Sequence, residues 1–214
     1  AFEAPLLNAH PARTRPRGGA PVLAANGATD RGQVLWNRHC AGCHGDNGQG
    51  DGPAADWLLP APTNLTARDY TLDRVSDLLW NGVHGTAMPA WRDFSDDDRA
   101  ALAALVGSFS PQADDTAPTG LVSRGEAVYV THCAECHGDD GGGNGFAAAE
   151  LPIMPTDFTG ERPTHAEAMR VLRSGIRGSS MAPWTDRLSD ADIEAVSHYV
   201  RTFYAAGGGT GASP

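Results

Sequence analysis

The sequence predicts a helical fold made of two tandem copies of one unit. A shift of 93 residues superimposes Cys40 on Cys133 and Met88 on Met181. After one inserted residue the match continues from Ser95, which falls on Ser189. Apolar residues recur at helical spacing between these landmarks. A repeat of about 85 residues has the size of a small domain, so the pattern indicates an internal duplication.

Three helices are predicted in the first unit. Asp30 is placed as the N-cap of a helix that ends at a pair of cysteines. Apolar residues at positions 72–80 lie on one helical face. Ser95 and Asp98 resemble a capping box, with Asp in place of the usual Glu, at the start of the last helix.

These landmarks divide the chain into five predicted segments. They are an extended or disordered N-terminal arm (1–28), a first domain (29–110), a polar linker (111–118), a second domain (119–205) and a flexible tail (206–214).

A Cys-x-x-Cys-His run occurs in both units. This run is the attachment signature of a c-type haem, in which two thiols bond the vinyl groups and the histidine ligates the iron. The cysteines are Cys40, Cys43, Cys133 and Cys136, and the histidines are His44 and His137. The repetition predicts two covalently bound haem c groups.

Paired cysteines have other uses besides haem attachment. A redox dithiol, a disulfide or half of a zinc site can also contain Cys-x-x-Cys. A zinc site built from all four cysteines would leave both adjoining histidines unexplained. The matched surroundings of the two motifs therefore favour haem.

Met88 and Met181 are the candidates for the second axial ligand of each iron. Each lies 48 residues after the first cysteine of its motif, in a Gly-x-x-Gly-x-x-Met pattern followed by Trp. Methionine more often only packs a core, but His/Met coordination is usual in electron-transfer haems. The rival is His84, whose counterpart in the second unit is Arg177.

The remaining methionines and histidines have no repeated pattern. Met154 and Met169 are expected in the core. His39 and His132 precede the cysteines and are expected at the surface or near haem propionates. His10, His165 and His198 have no convergent partner that the sequence reveals.

The chain is acidic, with a formal net charge of −10. Residues 30–110 hold six Arg against eleven Asp, and residues 119–204 hold seven Arg against twelve acidic residues. This charge argues against nucleic-acid binding and favours redox partners with basic docking surfaces. The alternative is that the acidic residues only maintain solubility and do not dock a partner.

No apolar run reaches the roughly 18 residues of a membrane span, and the first residues lack the pattern of a signal peptide. Haem is attached to thiols outside the bacterial cytoplasm, so we expect a mature periplasmic protein. Peripheral docking to a membrane complex stays open.

The order of helix, Cys-x-x-Cys-His, Gly-rich loop, Met-Pro loop and final aromatic helix resembles a class I cytochrome c domain. Two such domains in tandem resemble the dihaem cytochrome c4 type, and each unit also resembles the haem domains of cbb3-oxidase c subunits. The resemblance covers residues 29–205. It implies an all-α fold in which the first and last helices cross near Gly32 and Gly125, with Trp36 and Tyr129 beside the crossing. It also implies two haems placed for intramolecular electron transfer.

The chain departs from this family at several positions. In this family a proline after the glycines commonly offers its backbone carbonyl to the haem histidine. Pro53 fits this role in the first unit, but Phe146 occupies the matching position in the second. Arg173 and Arg177 replace Trp80 and His84, and would share one face if the segment is helical as far as Arg177. If either Arg lies near the second haem, that haem should have the higher potential; two solvated Arg are the alternative.

The leading functional prediction is a periplasmic, non-enzymatic carrier of single electrons, from a respiratory or dehydrogenase chain to an oxidase or reductase. One alternative is an electron-transfer subunit of a larger dehydrogenase, with residues 1–28 as an attachment strap. Another is a catalytic dihaem enzyme, such as a peroxidase or a sulfur-compound dehydrogenase, which would need an open axial site or a cysteine ligand.

Overall fold

The computed structural model describes residues 25–111 and 119–204, which form two similar helical units. The predicted arm up to residue 24, the linker at 112–118 and the tail from 205 lie outside the described residues. The first unit contains α1 (Ala25–His39), α2 (Ala41–His44), β1 (Arg68–Tyr70), α3 (Leu72–Asn81) and α4 (Asp96–Ser108). The second contains α5 (Thr119–His132), α6 (Ala134–His137), β2 (Glu161–Pro163), α7 (His165–Ser174) and α8 (Asp190–Tyr199). Short 3-10 turns lie at Ala55–Trp57, Leu65–Ala67, Ala148–Glu150 and Val200–Phe203.

The first and last helices of each unit cross at a glycine, as predicted. A Cβ atom added to Gly32 would lie 2.6 Å from the carbonyl oxygen of Ala101 in α4. A Cβ on Gly125 would likewise collide with the carbonyl of Ala195 in α8. Only glycine permits this close backbone approach, which places Trp36 and its counterpart in the two cores.

The first helix begins earlier than predicted. It starts at Ala25, so Asp30 lies inside the helix and is not its N-cap. Residues 25–29 contain no proline, and Ala25 and Ala28 favour helix enough to offset the weak helix former Gly27. The domain boundaries themselves stay a prediction.

The other predicted helix starts are confirmed. The Ser95 hydroxyl accepts the backbone N–H of Asp98, whose carboxylate accepts the backbone N–H of Ser95. Thr71 and Thr164 cap α3 and α7, each by accepting one backbone N–H at its hydroxyl oxygen. These caps satisfy orphan N–H groups and define where each helix begins.

The two units are joined by a short antiparallel sheet that the sequence analysis did not anticipate. Strands β1 and β2 occupy equivalent positions in the repeat, and Asp69 lies opposite Arg162. Because these two positions are related by the 93-residue shift, the pairing follows a local pseudo-twofold axis. The two-stranded sheet is a small addition to a fold that is otherwise helical, as predicted.

Equivalent positions carry opposite charges at this junction. Arg68 matches Glu161 in the repeat, and Arg74 matches Glu167. Arg68 lies 3.6 Å from Glu161 and 3.4 Å from Glu167, while Arg74 lies 2.7 Å from Glu161. If the two units had identical residues at these positions, the same contacts would bring like charges together. The substitutions therefore favour association of one unit with the other over association of identical units.

Among the described residues, no helix is long and apolar enough to cross a membrane.

Candidate haem sites

Each haem motif is positioned by the end of the first helix in its unit. Cys40 follows α1 directly, and its backbone N–H donates to the carbonyl of Trp36 at 2.8 Å. The short helix α2 then carries Cys43 and His44. Cys133 repeats the arrangement with the same 2.8 Å bond to Tyr129. The four thiols form no disulfide, which leaves them available for thioether bonds.

An aromatic side chain on the first helix fastens each motif. The Trp36 indole N–H donates to the carbonyl of Gly45 at 3.1 Å. In the second unit the hydroxyl of Tyr129 donates to the carbonyl of Gly138 at 2.7 Å. Both side chains are buried, so the two different residues hold the chain after the histidine in the same way.

The two motif histidines are oriented by a threonine carbonyl. Nδ1 of His44 lies 3.3 Å from the carbonyl oxygen of Thr63, and Nδ1 of His137 lies 3.2 Å from that of Thr156. A proton on Nδ1 leaves Nε2 free to act as a metal ligand. Burial lowers the pKa of both imidazoles, against the smaller opposing effect of the carbonyl, and so favours the neutral form.

This contact corrects the expectation based on Pro53. The carbonyl at His44 comes from Thr63 and not from Pro53. The carbonyl at His137 comes from Thr156, so Phe146, which matches Pro53, does not remove this contact in the second unit. The sequence contained a signal, because Thr63 and Thr156 are related by the 93-residue shift, but nothing in the sequence gave them a role.

The first cysteine of each motif does not have the properties of a reactive redox thiol. Burial, together with the neighbouring cysteine, raises the pKa of Cys40 to about 11 and that of Cys133 to about 12. Catalytic and redox thiols have lowered pKa values, which keep the thiolate available. The environment of these thiols argues against the dithiol alternative.

The loop that contains Met88 is closed by three hydrogen bonds. The backbone N–H of Met88 donates to the Thr86 hydroxyl at 3.1 Å, and that hydroxyl donates to the carbonyl of Val83 at 2.8 Å. The N–H of Val83 donates back to the carbonyl of Met88 at 3.1 Å. The side chain of Met88 packs against the first core cluster, which also contains Cys40.

The second methionine loop has the same construction. Met181 donates to the Ser179 hydroxyl at 3.1 Å, Ser179 donates to the carbonyl of Ile176 at 2.9 Å, and Ile176 donates to the carbonyl of Met181 at 2.8 Å. The side chain of Met181 packs against the second core cluster, and Cys133 packs there too. Met181 is followed by Ala and Pro, whereas Met88 is followed by Pro and Ala, and this change of order leaves the hydrogen bonds of the loop intact.

The residues that surround each motif fit a haem. Trp91 and Trp184 occupy equivalent positions, and their buried indole N–H groups have no hydrogen-bond partner among the described residues. A buried donor normally finds an acceptor. The carboxylate groups of a haem would supply one in each unit, and the thiols, imidazole and thioether would be the groups that bond its ring and iron.

The other sequence candidates lie elsewhere. His84 and Arg177 are both exposed. Arg177 lies beyond the end of α7, so the expectation that it shares a helical face with Arg173 is wrong. Arg173 lies 3.4 Å from Asp190 at the surface. The effect of these Arg on haem potential stays a prediction.

Two further expectations need correction. Met169 packs against the second core, but Met154 is half exposed. His165 and His198, for which no partner was expected, stack on each other with ring centroids 4.3 Å apart.

Comparison with known proteins identifies the family. The profile of the family described as "Cytochrome C oxidase, cbb3-type, subunit III" matches residues 27–106 and again residues 120–200. The chain belongs to this family. The chain has two tandem cytochrome c domains and binds two covalent haem c groups.

Several curated proteins are similar to this family member over most of its length. The CcoP subunit of the cbb3-type cytochrome c oxidase of Azospirillum sp. is 31% identical over 193 residues, which are 83% of this chain and 62% of that protein. Cytochrome c4 of Azotobacter vinelandii is 25% identical over 207 residues, 86% of this chain and 91% of that protein. The chain thus spans about three fifths of the CcoP proteins that it matches.

Among solved structures, a chain of the reducing HAO-like protein complex of Kuenenia stuttgartiensis aligns with a TM-score of 0.41 and 25% identity. The alignment covers 83% of this chain and 97% of that chain.

Proposed function

We propose that this chain is an exported, periplasmic dihaem cytochrome that carries single electrons between redox proteins and is not itself an enzyme. When bound, each haem c supplies an iron that takes up and releases one electron. In this proposal the paired cysteines hold the haems, while His44 and His137 provide one axial ligand each. Met88 and Met181 provide the other.

The duplicated methionine loop is the observation that carries the proposal. Thr86 and Ser179 differ in sequence but make the same two hydrogen bonds, and both fasten the backbone of a methionine. A fastened loop holds its thioether against loss to solvent, and a closed axial position is what an electron carrier needs. A catalytic centre would need one position open to its substrate.

The junction between the units supports a role that uses both sites together. The paired strands and the buried ion cluster around Arg68 join the two domains directly. Such contacts keep the two sites in one body, so that an electron received at one site can be passed on at the other.

The acidic surface suggests how partners are met. Exposed carboxylates follow each motif, with Asp46 and Asp51 in the first unit and Asp139 and Asp140 in the second. A partner with a basic docking surface would be attracted to these loops, and its association rate would fall as salt is added.

The first test is carbon monoxide binding to the fully reduced protein, followed optically. Two closed sites predict no rapid binding at either haem. Replacement of Met88 by Ala should open one site, and the matching Met181→Ala should open the other. Rapid binding to the unmodified protein would contradict methionine ligation and favour the catalytic alternative.

A second candidate function follows from the relatives. The CcoP proteins are named as subunits of cbb3-type oxidases, and this chain matches about three fifths of their length. We therefore weigh a free carrier of the cytochrome c4 type against an electron-transfer part of such an oxidase. Co-purification with an oxidase in fixed stoichiometry from native membranes would support the subunit role. Recovery as a separate protein under the same conditions would support the carrier.

A further inference from the structure

A group of potential metal ligands lies in the second unit, outside both haem motifs. His165 is the first residue of α7, and Glu194 and His198 stand four residues apart on α8. A spacing of four places two side chains on the same face of a helix. The ligand atoms of all three residues lie within 4.8 Å of one another.

The distances approach those of a metal site. Nε2 of His165 lies 3.2 Å from Oε1 of Glu194, and Nε2 of His198 lies 3.5 Å from the same oxygen. In a tetrahedral zinc site with bonds of about 2.0–2.1 Å, neighbouring ligand atoms are about 3.3–3.4 Å apart. The two carboxylate–imidazole separations already match this value. Rotation of the stacked rings would bring the two nitrogens closer to it.

The burial of these histidines needs an explanation. His198 is only 8% exposed, and its Nε2 atom is the one that lies near Glu194. Nε2 of His165 is buried, and it has no hydrogen-bond partner among the described residues despite its proximity to Glu194. A buried polar atom without a partner is costly, and a bound cation would satisfy this nitrogen of His165.

The first unit contains no equivalent of this cluster. Leu72, Ala100 and Ala104 occupy the positions that match His165, Glu194 and His198. The duplicated haem fold therefore forms without these polar side chains, and their presence in the second unit requires a separate reason.

We propose that His165, Glu194 and His198 form a binding site for one divalent transition-metal ion, with Zn²⁺ as the preferred ion. Two imidazoles and one carboxylate are an established donor set for zinc. The side chains of His165 and Glu194 are 29% and 39% exposed, so water reaches the site and can complete the coordination. The ion ties the start of α7 to α8.

The location gives the ion a structural role at the domain junction. Glu167 lies in the first turn of α7, two residues after His165, and contacts Arg68 of the first unit. The ion would hold the first turn of α7, and with it the position of Glu167 in the buried ion cluster.

The site is tested by zinc binding to the intact protein with both haems attached and without a histidine tag. Equilibrium dialysis against ZnCl₂ with elemental analysis should give one tightly bound zinc per chain. X-ray absorption at the zinc edge should show two imidazole ligands. The variants Glu194→Gln and His198→Asn should each bind this zinc at least tenfold more weakly. Glu150→Gln, which removes an exposed carboxylate elsewhere in the unit, should bind as the unmodified protein does.

Helix content and the haem spectrum identify the variants that remain folded. Glu194→Gln preserves the shape of the side chain, so it tests the site even if His198→Asn fails to fold. No tightly bound zinc, or zinc binding that is equal in Glu194→Gln and the unmodified protein, would overturn the proposal. Binding with fewer than two imidazole ligands would overturn it as well.

Discussion

Replacement of Arg68 by Met should weaken the protein more than any surface charge change. The side chain of Arg68 is 8% exposed and lies between Glu161 and Glu167, whose side chains are 10% and 9% exposed. Methionine keeps most of the volume but removes the positive charge. Glu167 would then lose its ion pair with the first unit, and Glu161 would keep only its pair with Arg74.

The expected loss follows from the geometry. Removal of one partner from a well-formed buried ion pair costs about 3–5 kcal/mol. Here the contacts of Arg68 are long, at 3.4 and 3.6 Å, and each carboxylate keeps another Arg at 2.7 Å. The loss should therefore be about 2–3 kcal/mol in the free energy of unfolding. For a protein of this size, that corresponds to a melting temperature lower by roughly 4–12 °C.

Urea unfolding of the protein with both haems attached, followed by circular dichroism and haem absorbance, measures this loss. The matched control is Arg124→Met, which breaks an ion pair with Asp192 in which the Arg is 51% exposed, and should cost below about 1 kcal/mol. Addition of Glu161→Gln and Glu167→Gln to Arg68→Met should restore part of the stability. An Arg68→Met variant as stable as the Arg124→Met control would refute the reasoning.

Three further predictions concern single sites. Gly125→Ala should lower the free energy of unfolding by about 1–3 kcal/mol, because the added methyl group would collide with the backbone of α8. Gly120→Ala in the same helix is the control, since its methyl group would meet nothing within 4 Å and should not destabilise the protein. Thermal melts of the two variants measure the difference. Thr86→Val removes the hydroxyl that fastens the methionine loop, so carbon monoxide should bind the reduced protein faster, and an unchanged rate would argue against this role. The hydrogen bond from Arg31 holds the pKa of Asp98 in the folded protein below its usual value. The ionised Asp98 therefore stabilises the fold fully above about pH 4, and this contribution is lost as the pH falls through the pKa of the folded state. Asp98→Asn should reduce the dependence of the melting temperature on pH below about pH 4. An unaltered dependence would count against this role of Asp98.

Features that depend on neighbouring residues were predictable from the sequence. The haem motif requires cysteines at a set spacing, and the cap at Ser95 requires a partner three residues later. Both features are therefore visible as short patterns in the sequence. The helix crossing at Gly32 was predicted through the family resemblance, and the structure confirms it. The start of the first helix was mispredicted, because Asp30 is a good cap in isolation and competes poorly with a helix that extends through it.

Features that join distant segments were not predictable in the same way. Thr63 contacts His44 through a backbone carbonyl, and every residue type offers a carbonyl, so the sequence carried no specific mark. His165 and His198 are 33 positions apart and meet only because α7 packs beside α8. The opposite charges at Arg68 and Glu161 were visible in the repeat, but their meaning required knowledge that β1 pairs with β2.

The sequence by itself determined the duplication, the helical units and the residues predicted to attach haem. It could do so because covalent attachment and helix capping are short-range constraints that restrict residue type at defined spacings. The tertiary structure decided how the two units join, which carbonyl orients each histidine and which side chains gather between α7 and α8. Those outcomes depend on packing between segments far apart in the chain, where many sequences satisfy the same contact and no single spacing records it.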